Sequence, residues 1–576
     1  MTVRLVNFVF PADPPVSGAE ECYLRVRGGG VSCDGDGVTL GEGAEFSLDT
    51  FFNLFSAKYL RAADVSSFTL DFGYTGALTA EVRFCSASGD ERLAREVFYS
   101  ETVATGSIEI AADEYKSREG FFYAVFASHS GGARLTEGGF SADVKPKRVR
   151  IGAVVCTYRR EAFVMENTAR LGEYLGSRPQ LASAINVFVV DNGRTLSPDD
   201  LPPSVRLIPN DNTGGAGGFT RGLREILEEG GYTHFLFMDD DIALEPAVLE
   251  RTAALLSVLD GEYAGACVGG AMLMRDRPCV QHELGGRWLG DGLRGNHTDV
   301  DISAAAGLLD NESDPPADFG AWWYMCMPVS AAEKHGLPLE MLFVKCDDVE
   351  YGLRAAEKLL FVNGIGVWHE NFDSKFTPVY EYFVKRNELI ASARYPRGKG
   401  VFANWAKFVR AAARALVEQN YFIIDIISKA YDDFLRGADY VSGLDSVALI
   451  KELSAVCPEQ RPSDEVGAAF GVDPDRGLEA AWKVKQNVPL QFFTLNSYLL
   501  PRACYREVAV AHMVKPRPID FFRAESVVHY NPYTRTAYVT RIRKRELFRA
   551  LNKIVCVFFK MLFRFGRAKR SFRKLR

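Results

Sequence analysis

The sequence has no uninterrupted run of about 18 apolar residues, the length that a helix needs to cross a bilayer. Residues 1–11 also lack the long apolar core of a secretory signal peptide. The 11 cysteines are odd in number, lie far apart and form no CxxC pair, which argues against a disulfide framework and predicts no zinc site. These absences predict a chain that resides in the reducing cytoplasm.

What the sequence does contain is enough apolar material for several packed cores. With 576 residues, 47% of them hydrophobic, about two to four domains are expected. The net charge of −6 hides an asymmetry, because the last 36 residues carry 14 Lys or Arg and one acid, Glu546. That segment therefore holds about +13 and the remainder about −19. A remainder this acidic makes nucleic acid an unfavourable partner.

The basic segment, residues 541–576, has the pattern of an amphipathic helix. At about 100° per residue two sides separate. The basic side holds Arg545, Arg549, Lys553, Lys560, Arg564 and Arg567, and the apolar side holds Leu551, Ile554, Val555, Phe558, Met561, Leu562 and Phe565. This pattern predicts a helix lying on an anionic membrane surface. A helix that packs on the protein and exposes a solvated basic face is the alternative.

Four stretches of the chain differ in the spacing of their apolar residues and in their charge, and we interpret them as domains. Residues 1–147 alternate short apolar runs with glycines and predict an all-β sandwich or barrel. Residues 148–385 alternate strand and helix patterns and predict an α/β, Rossmann-like domain. Residues 386–540 have helical spacing and predict a mainly α-helical domain, and residues 541–576 form the basic tail. The predicted fold class is therefore multidomain.

Three consecutive acids are the most informative local feature. Asp239, Asp240 and Asp241 follow the apolar run 235–238, which predicts a short buried strand. Carboxylates two positions apart leave a strand end on the same side, so Asp239 and Asp241 can share a divalent cation that holds a diphosphate. An acidic cap on a helix that begins near Glu245 is the alternative.

Other polar side chains follow neighbouring predicted strands. The β-branched runs 151–156 and 185–190 are followed by Thr157 and Arg159 and by Asp191, with a helix-like segment between the runs. In a βαβ arrangement the carboxyl ends of parallel strands line one crevice, so these side chains are expected beside the acidic triplet. The glycine-rich residues 210–219 precede a helix-like segment, and so bare a backbone can approach a sugar or phosphate closely.

Three downstream sites each have a chemical and a structural interpretation. Asp347 and Asp348 open a helix-like segment, where acids also favour the helix dipole. His369 follows a strand-like run, but a lone histidine near a tryptophan is commonly a packing residue. Trp322 and Trp323 form a core cluster or a sugar-stacking platform. Because neighbours on a strand face opposite sides, we expect only one of them to find core space.

Taken in order, these motifs resemble glycosyltransferase family 2. They are Cys156-Thr157-Tyr158-Arg159, Val190-Asp191-Asn192-Gly193, the glycine-rich stretch from Asn212 to Gly218, Met238-Asp239-Asp240-Asp241, Trp322-Trp323, Asp347-Asp348-Val349-Glu350 and Val367-Trp368-His369. Within the family the chain is most similar to the galactan-polymerising UDP-galactofuranosyltransferases, and residues 49–55 resemble a segment of their β domain. The resemblance implies an N-terminal β-sandwich or barrel, a central GT-A domain and a helical C-terminal region.

The resemblance also implies roles for individual residues. Asp348, the second acid of its pair, would be the catalytic base that takes the proton of the acceptor hydroxyl. Asp239, Asp241 and His369 would hold Mn²⁺ or Mg²⁺. The implied donor-binding residues are Thr157, Arg159, Asp191, Asn212, Gly214, Gly215, Asp239 and Asp240, and the implied acceptor-binding residues are Trp322, Trp323 and Asp347. Glu283, which follows residues 279–281, is also expected to face the acceptor. The chain departs from the family at Glu370-Asn371-Phe372, where a second aromatic cluster rich in tryptophan is expected.

The function implied by the resemblance is an inverting, metal-dependent sugar transfer in cell-envelope glycan synthesis. The expected donor is a UDP-sugar, UDP-galactofuranose above others, and the expected acceptor is a lipid-linked glycan or a polysaccharide. The chain is expected at the inner face of the cell membrane, as a peripheral protein and a candidate homo-oligomer. Two alternatives stay open: a family 2 transferase that uses another UDP-hexose, and a non-catalytic glycan-binding protein on the same scaffold.

Overall fold

The computed structural model describes residues 1–375, 377–395, 397–485 and 488–575, so Arg576 at the end of the predicted tail lies outside the described residues. The chain forms two compact units. The first contains Met1–Trp288, Leu293–Leu339 and Asp348–Glu370, and the second contains Leu289–Gly292, Glu340–Asp347 and Asn371–Arg576. The predicted β and α/β domains thus lie mostly within one unit, and the predicted division into four parts stays a prediction.

The first part of unit 1 is built from antiparallel strands. They are β1 (Thr2–Asn7), β2 (Arg25–Gly28), β3 (Val31–Cys33), β4 (Val38–Leu40), β5 (Glu45–Ser47), β6 (Phe55–Ser56), β7 (Ser67–Ser86), β8 (Gly89–Ala111) and β9 (Phe121–Asp143), with one short helix, α1 (Ala57–Ala62). The long β7 pairs with both β8 and β9, and β1, β4, β5 and β6 also pair with β9. Apolar side chains alternate along β7, and Phe68, Leu70 and Phe72 all point into the core.

The second part of unit 1 alternates strands and helices. The elements are β10 (Ile151–Thr157), α2 (Glu161–Gly176), α3 (Pro179–Ala184), β11 (Ile185–Asp191), β12 (Val205–Pro209), α4 (Gly214–Glu229), β13 (His234–Asp239), β14 (Ile242–Ala243), α5 (Ala247–Val258), β15 (Cys267–Met274), β16 (Val280–Glu283), β17 (Gly286–Trp288), β18 (Leu293–Gly295), β19 (Val300–Asp301), α6 (Ala305–Asp310), β20 (Tyr324–Pro328), α7 (Val329–His335), α8 (Asp347–Ala355) and β21 (Leu359–His369).

The main sheet of this part has the strand order β12-β11-β10-β13-β20-β15-β16-β19. The first four strands run parallel, whereas β20 runs antiparallel to both of its neighbours. Strand β21 pairs with β15 in parallel and with the short β14 in antiparallel orientation. Strands β10 and β13 are almost wholly apolar, as expected for parallel strands that are covered on both faces.

One hydrophobic core joins the two parts of unit 1. The fully buried Arg251 on α5 donates to the carbonyl oxygen of Asn7 at 2.7 Å and to that of Gly364 at 3.1 Å. Phe52, from the β part, packs on Trp368 with ring centroids 5.3 Å apart. The β strands and the α/β sheet therefore share buried side chains rather than meeting at a polar boundary.

Unit 2 is largely helical but contains a small sheet. Its elements are α9 (Tyr380–Arg394), α10 (Val401–Val417), α11 (Tyr421–Arg436), α12 (Ala438–Ser442), α13 (Ser446–Ser454), β22 (Arg461–Pro462), α14 (Ser463–Phe470), α15 (Pro474–Trp482), α16 (Val488–Phe493), β23 (Arg506–His512), β24 (Ala524–Asn531), β25 (Thr536–Arg541) and α17 (Arg545–Arg573). The sheet order is β22-β25-β24-β23. The prediction for residues 386–540 missed this sheet, because the helical spacing before residue 455 does not continue into the β-branched runs of β23 and β24.

Helix α17 contains the predicted basic tail and packs within unit 2. Phe565 and Phe572 contact Phe434 of α11, with ring centroids 5.7 and 5.1 Å apart. Lys560 forms an ion pair with Asp432. Part of the apolar side that was predicted to face a membrane is therefore buried against other helices, and the rest is exposed. The apolar side chains of α17 that stay exposed are Phe548, Leu551, Val555, Phe559, Leu562 and Phe563.

Among the described residues, no helix is long and apolar enough to cross a membrane.

Candidate metal centre and active site

The carboxyl ends of three parallel strands lie side by side at the candidate site. Strand β10 is hydrogen-bonded to β11 on one side and to β13 on the other. The pairing sets Thr157 opposite Asp191 and Cys156 opposite Asp239. The carboxyl ends of these strands therefore lie at one edge of the sheet, which is where the βαβ pattern predicts that the polar side chains after each strand collect.

Asp239, Asp241 and His369 converge at this edge of the sheet. Each offers one ligand atom, and the three atoms lie within 4.8 Å of one another. His369 Nε2 is 3.2 Å from Asp241 Oδ1 and 3.7 Å from Asp239 Oδ2. Asp241 and His369 are buried, whereas Asp239 is partly exposed. Two carboxylates and one imidazole are a donor set that suits Mn²⁺ and also accepts Mg²⁺.

The backbone around His369 orients its ring toward the two aspartates. His369 ends β21, where it pairs with Ile242 of β14, so it lies beside the residue that follows Asp241. His369 Nδ1 lies 2.7 Å from the carbonyl oxygen of Glu370. This hydrogen bond places the proton on Nδ1 and leaves Nε2 with the lone pair that a metal ion needs. The three side chains therefore fit a divalent cation.

The middle acid of the triplet has a different partner. Arg160 Nη1 is 3.0 Å from Asp240 Oδ1 and 2.5 Å from Asp241 Oδ2. Burial raises the pKa of Asp240 to about 6, and the positive charge of Arg160 opposes that rise. Sequence reasoning did not select Arg160 as a site residue. The adjacent Arg159-Arg160 pair could have indicated it, because a cation is required beside three acids.

The glycine-rich segment lies in a helix and not in a loop before one. Helix α4 begins at Gly214, whereas the sequence placed the helix start at Thr220. The reason is close packing, since a Cβ atom on Gly218 would lie 2.2 Å from Cys156 Sγ and one on Gly222 would lie 2.3 Å from Val154. Glycines let α4 approach β10, and the N–H groups of its first turn lie at the carboxyl edge of the sheet.

The remaining predicted donor residues organise the backbone around the crevice. Asp191 is buried and accepts hydrogen bonds from the amides of Gly193, Thr195 and Leu196 at 2.6–2.8 Å. Asn212 Oδ1 accepts from the Gly214 amide at 3.1 Å. Arg159 is exposed and has a left-handed backbone with φ of 55°. Donor contact by these side chains, by Thr157 and by Gly215 stays a prediction.

Both tryptophans of the predicted acceptor platform are core residues. Trp322 and Trp323 are each 5% exposed. The ring of Trp322 packs against Phe237 at 4.8 Å, and Trp323 Nε1 donates to the carbonyl oxygen of Gly270 at 2.8 Å. The expectation that only one of the pair finds core space is wrong, because hydrophobic clusters on different sides of the sheet accommodate one each. Their contact with an acceptor stays a prediction.

The candidate base lies at the start of α8. Asp348 Oδ1 accepts the amide hydrogen of Val349 at 2.8 Å, and Asp347 is the first residue of the helix. Glu283, at the end of β16, interacts electrostatically with Asp348. Burial, together with the charge of Asp348, raises the pKa of Glu283 to about 7. Burial therefore favours the protonated form of the Glu283 carboxyl beside Asp348.

The chain segment that leads into α8 is strained. Phe343, Lys345 and Cys346 have φ values of 64°, 68° and 60°, a left-handed conformation that side chains other than glycine rarely adopt. Asn387 Nδ2 on α9 donates to the carbonyl oxygens of Val344 at 3.0 Å and Lys345 at 2.8 Å. Buried Arg386 and Asn387 also donate to the Leu342 carbonyl. Within unit 2, these two side chains hold the strained segment.

Comparison with known proteins gives two sequence relatives. The galactofuranosyltransferase GlfT2 of Mycolicibacterium smegmatis is 27% identical over 436 residues, covering 70% of this chain and 66% of that protein. The galactofuranosyltransferase GlfT2 of Mycobacterium tuberculosis is 28% identical over 450 residues, covering 72% of this chain and 68% of that protein. The chain thus spans about two thirds of the length of these relatives. No family model matches it.

Solved structures of glycosyltransferases are also similar, at low scores. The mannosyltransferase PcManGT from Pyrobaculum calidifontis, in complex with GDP-Man and Mn²⁺, has a TM-score of 0.29 and 13% identity and covers 55% of this chain and 83% of its own. S. aureus TarS 1–349 has a TM-score of 0.28 and 14% identity and covers 42% and 65%. Likenesses at these scores add nothing to the assignment. The sequence relatives support a glycosyltransferase.

Proposed function

We propose that this chain is an inverting, metal-dependent glycosyltransferase with a GT-A catalytic domain. In this proposal it transfers galactofuranose from UDP-galactofuranose to a lipid-linked glycan or polysaccharide in cell-envelope synthesis. The single observation that carries the proposal is the cluster of Asp239, Asp241 and His369, whose ligand atoms lie within 4.8 Å of one another at the carboxyl edge of a parallel sheet. The two sequence relatives support the donor sugar.

The donor would bind over the carboxyl ends of β10, β11 and β13. A Mn²⁺ or Mg²⁺ ion held by Asp239, Asp241 and His369 would offset the charge on the departing nucleoside diphosphate. Arg160, paired with Asp240 and Asp241, adds a positive charge at the same edge. The start of α4 adds backbone N–H groups and the positive end of a helix dipole, which favour phosphate.

Asp348 would take the proton from the acceptor hydroxyl as that oxygen attacks the anomeric carbon. Attack from the face opposite the leaving diphosphate inverts the configuration, so the base has to lie across the sugar from the metal site. The pKa of Glu283 is raised to about 7, so near neutral pH a fraction of the Glu283 carboxyl groups carries a proton and can donate a hydrogen bond to the acceptor.

Donor profiling tests this proposal. We expect purified protein with Mn²⁺ and a galactofuranose-terminated acceptor to release UDP from UDP-galactofuranose and much more slowly from UDP-galactopyranose or UDP-glucose. Preference for another UDP-hexose would replace the donor and keep the reaction class. Absence of UDP release from all three donors, with glycan binding retained, would favour the non-catalytic glycan-binding alternative.

The metal-binding assignment has a readout that does not depend on turnover. His369→Ala and Asp241→Ala should each weaken Mn²⁺-dependent UDP binding, measured by calorimetry, because removing one ligand lowers metal affinity while the others remain. His335→Ala serves as the matched control, since His335 lies at the end of α7 and pairs with Glu357. If His369→Ala titrates with Mn²⁺ like the wild type, His369 is a packing residue.

We further propose that unit 2 docks on an anionic membrane surface, where a lipid-linked acceptor would be found. The exposed apolar stripe of α17 is flanked by exposed arginines, among them Arg545, Arg564 and Arg567. Phe492 and Phe493 in α16 are 73% and 76% exposed, and this segment continues to Leu500, whose carbonyl oxygen accepts from Lys544 at 2.5 Å. Exposed aromatic side chains can insert among the lipids of a membrane surface, and the basic side chains beside them are attracted to anionic headgroups.

A further inference from the structure

Two cysteines lie in contact between the two parts of unit 1. Cys22 Sγ and Cys279 Sγ are 3.7 Å apart, although the residues are 257 positions apart in the chain. Cys22 ends the helical turn Glu20–Cys22 of the β part, and Cys279 directly precedes β16. Forming a disulfide would shorten the sulfur–sulfur distance by about 1.7 Å, a small movement for a turn and a residue outside regular structure.

The two thiols are unequal in exposure and in acidity. Cys22 is fully buried, whereas Cys279 is partly exposed. The hydrogen bond between them lowers the pKa of the Cys279 thiol, and the same bond together with burial raises the pKa of Cys22. Cys279 is therefore the thiol that an oxidant can reach and the one that ionises first. Cys22 is placed to react in a second step.

We propose that Cys22 and Cys279 form a reversible disulfide when the protein meets a small disulfide oxidant such as oxidised glutathione. The Cys279 thiolate attacks one sulfur of the oxidant, which breaks its S–S bond, forms a mixed disulfide and releases one glutathione thiolate. Cys22 then gives up its proton and attacks Cys279 Sγ, forming the protein disulfide and expelling the second glutathione. Two protein thiols are oxidised and one glutathione disulfide is reduced to two thiols.

The crosslink would fix segments on which the candidate active site is built. Strand β16 begins one residue after Cys279 and ends at Glu283. The carbonyl oxygen of Pro278 accepts from Trp368 Nε1 at 3.0 Å, and Trp368 precedes His369. A covalent bond here would tie the β part to both segments. It would form whether or not the chain transfers sugar, so its failure and the failure of the proposed function are distinguishable.

Peptide mapping tests the proposal. Full-length folded protein is incubated with oxidised glutathione, alkylated, digested without reduction and analysed by mass spectrometry. We expect a Cys22–Cys279 peptide pair that dithiothreitol removes. In Cys22→Ser we expect glutathione to stay attached to Cys279, because the second thiol is missing. In Cys279→Ser we expect neither the glutathione adduct nor the crosslink. Cys33→Ser, which removes a partly buried cysteine of the same β part, should leave the crosslink unchanged.

Three results would overturn the proposal: no Cys22–Cys279 pair in the wild type, glutathione that stays on Cys279 although Cys22 is present, or the pair appearing only after denaturation. Thermal unfolding supplies a second measurement. A native crosslink that closes so long a loop restricts the unfolded chain, so oxidation should raise Tm by several degrees, and reduction should reverse the rise. A lower Tm on oxidation would mean that the bond forms only in a distorted state and would also overturn it.

Discussion

At the candidate active site, neighbouring carboxyl groups have unequal environments. Asp348 lies in the first turn of α8 and accepts a backbone amide, whereas Glu283 is partly buried and has a pKa of about 7. Asp240 is also buried and has a pKa of about 6. Carboxyl groups with raised pKa values are typical of catalytic sites, where burial and like charges set which group is acid and which is base.

Asp348→Asn should lower sugar transfer at least about 100-fold and leave Mn²⁺-dependent UDP binding intact, because it removes a proton acceptor outside the metal cluster. UDP release and calorimetric UDP binding measure the two effects. Asp347→Asn is the matched control. Because Asp347 is assigned to acceptor binding, this variant should raise the KM for the acceptor and lower kcat less than Asp348→Asn does. Asp348 is not the base if its variant keeps more than about a tenth of the activity or loses UDP binding as well.

Glu283→Gln should change how stability depends on pH. The folded protein raises the pKa of Glu283 from 4.5 to about 7, so it binds this proton more tightly than the unfolded chain does. The resulting stability is complete below about pH 4.5 and is lost as the pH rises through about 7. Between pH 5 and pH 8 the free energy of unfolding of Glu283→Gln should therefore fall less than that of the wild type, by on the order of 1–3 kcal/mol.

Urea unfolding of Glu283→Gln at the two pH values provides the measurement, and the exposed Glu173→Gln provides the control. If Glu283→Gln has the same pH dependence as the wild type, burial does not hold a proton on Glu283.

Single residues at the site were predicted best where strand ends determine their position. The strand end predicted Asp239 and Asp241 together, and the family resemblance added His369. The three side chains lie together in the structure, and their binding of a metal ion stays a prediction. The sequence did not identify Arg160 as the partner of the acids. That pairing depends on the position of the start of α2 relative to the end of β13, which the local pattern does not give. The expectation that only one of Trp322 and Trp323 is a core residue was wrong, because the space in a core depends on partners such as Phe219 and Phe237, which the local pattern does not reveal.

At the scale of elements, the short apolar runs predicted β10, β11 and β13 to within about a residue, because a run of four to six apolar residues bounded by polar ones is typical of a buried strand. Helix α4 was placed too late because glycine disfavours a helix in isolation. Here that intrinsic cost is offset by the contact of Gly218 and Gly222 with β10. The sheet of β22 to β25 was missed because the helical spacing before residue 455 does not continue into the β-branched runs of β23 and β24.

The strained entry to α8 gives a prediction about α9. Asn387→Ala removes the donors that hold the carbonyls of Val344 and Lys345, and each left-handed residue there costs roughly 1–3 kcal/mol. The segment should relax and displace the acids at the start of α8. We expect kcat to fall about tenfold or more while UDP binding is unchanged, because a displacement of about 1 Å can cost about that much or more in rate.

Asn404→Ala is a matched control for Asn387→Ala. Asn404 is equally buried and donates to the carbonyls of Lys399 and Gly400 at the start of α10. Both variants should lower Tm, but only Asn387→Ala should lower kcat. Equal kinetic effects at equal stability would show that Asn387 has a structural role only.

At the scale of the whole molecule, the exposed stripe of α17 predicts membrane recruitment. A triple variant with Phe548, Phe559 and Phe563 changed to Ser should sediment less with anionic vesicles and keep transfer to a short soluble acceptor, because these side chains are 72%, 52% and 78% exposed. High salt should weaken binding of the wild type, since the flanking arginines contribute through charge.

The control for this triple variant changes Val97, Tyr99 and Val103 to Ser on β8, where the side chains are equally exposed but belong to unit 1. Vesicle binding should be unaffected by that change. If the α17 variant binds vesicles normally and instead alters the mass measured by light scattering, the stripe joins copies of the chain. Deleting the whole of α17 is the poorer test, since Phe565 and Phe572 pack on Phe434.

The contacts of Arg251 and Phe52 limit how this protein can be divided or recombined. Deleting residues 1–147 would leave the Arg251 guanidinium buried without the Asn7 carbonyl and would remove Phe52 from Trp368, the neighbour of His369. A gene fusion or crossover at that point would separate sequences that fold around one core. The β part is therefore not an exchangeable module, and a chimaera that inherits the catalytic segment has to inherit the first strands with it.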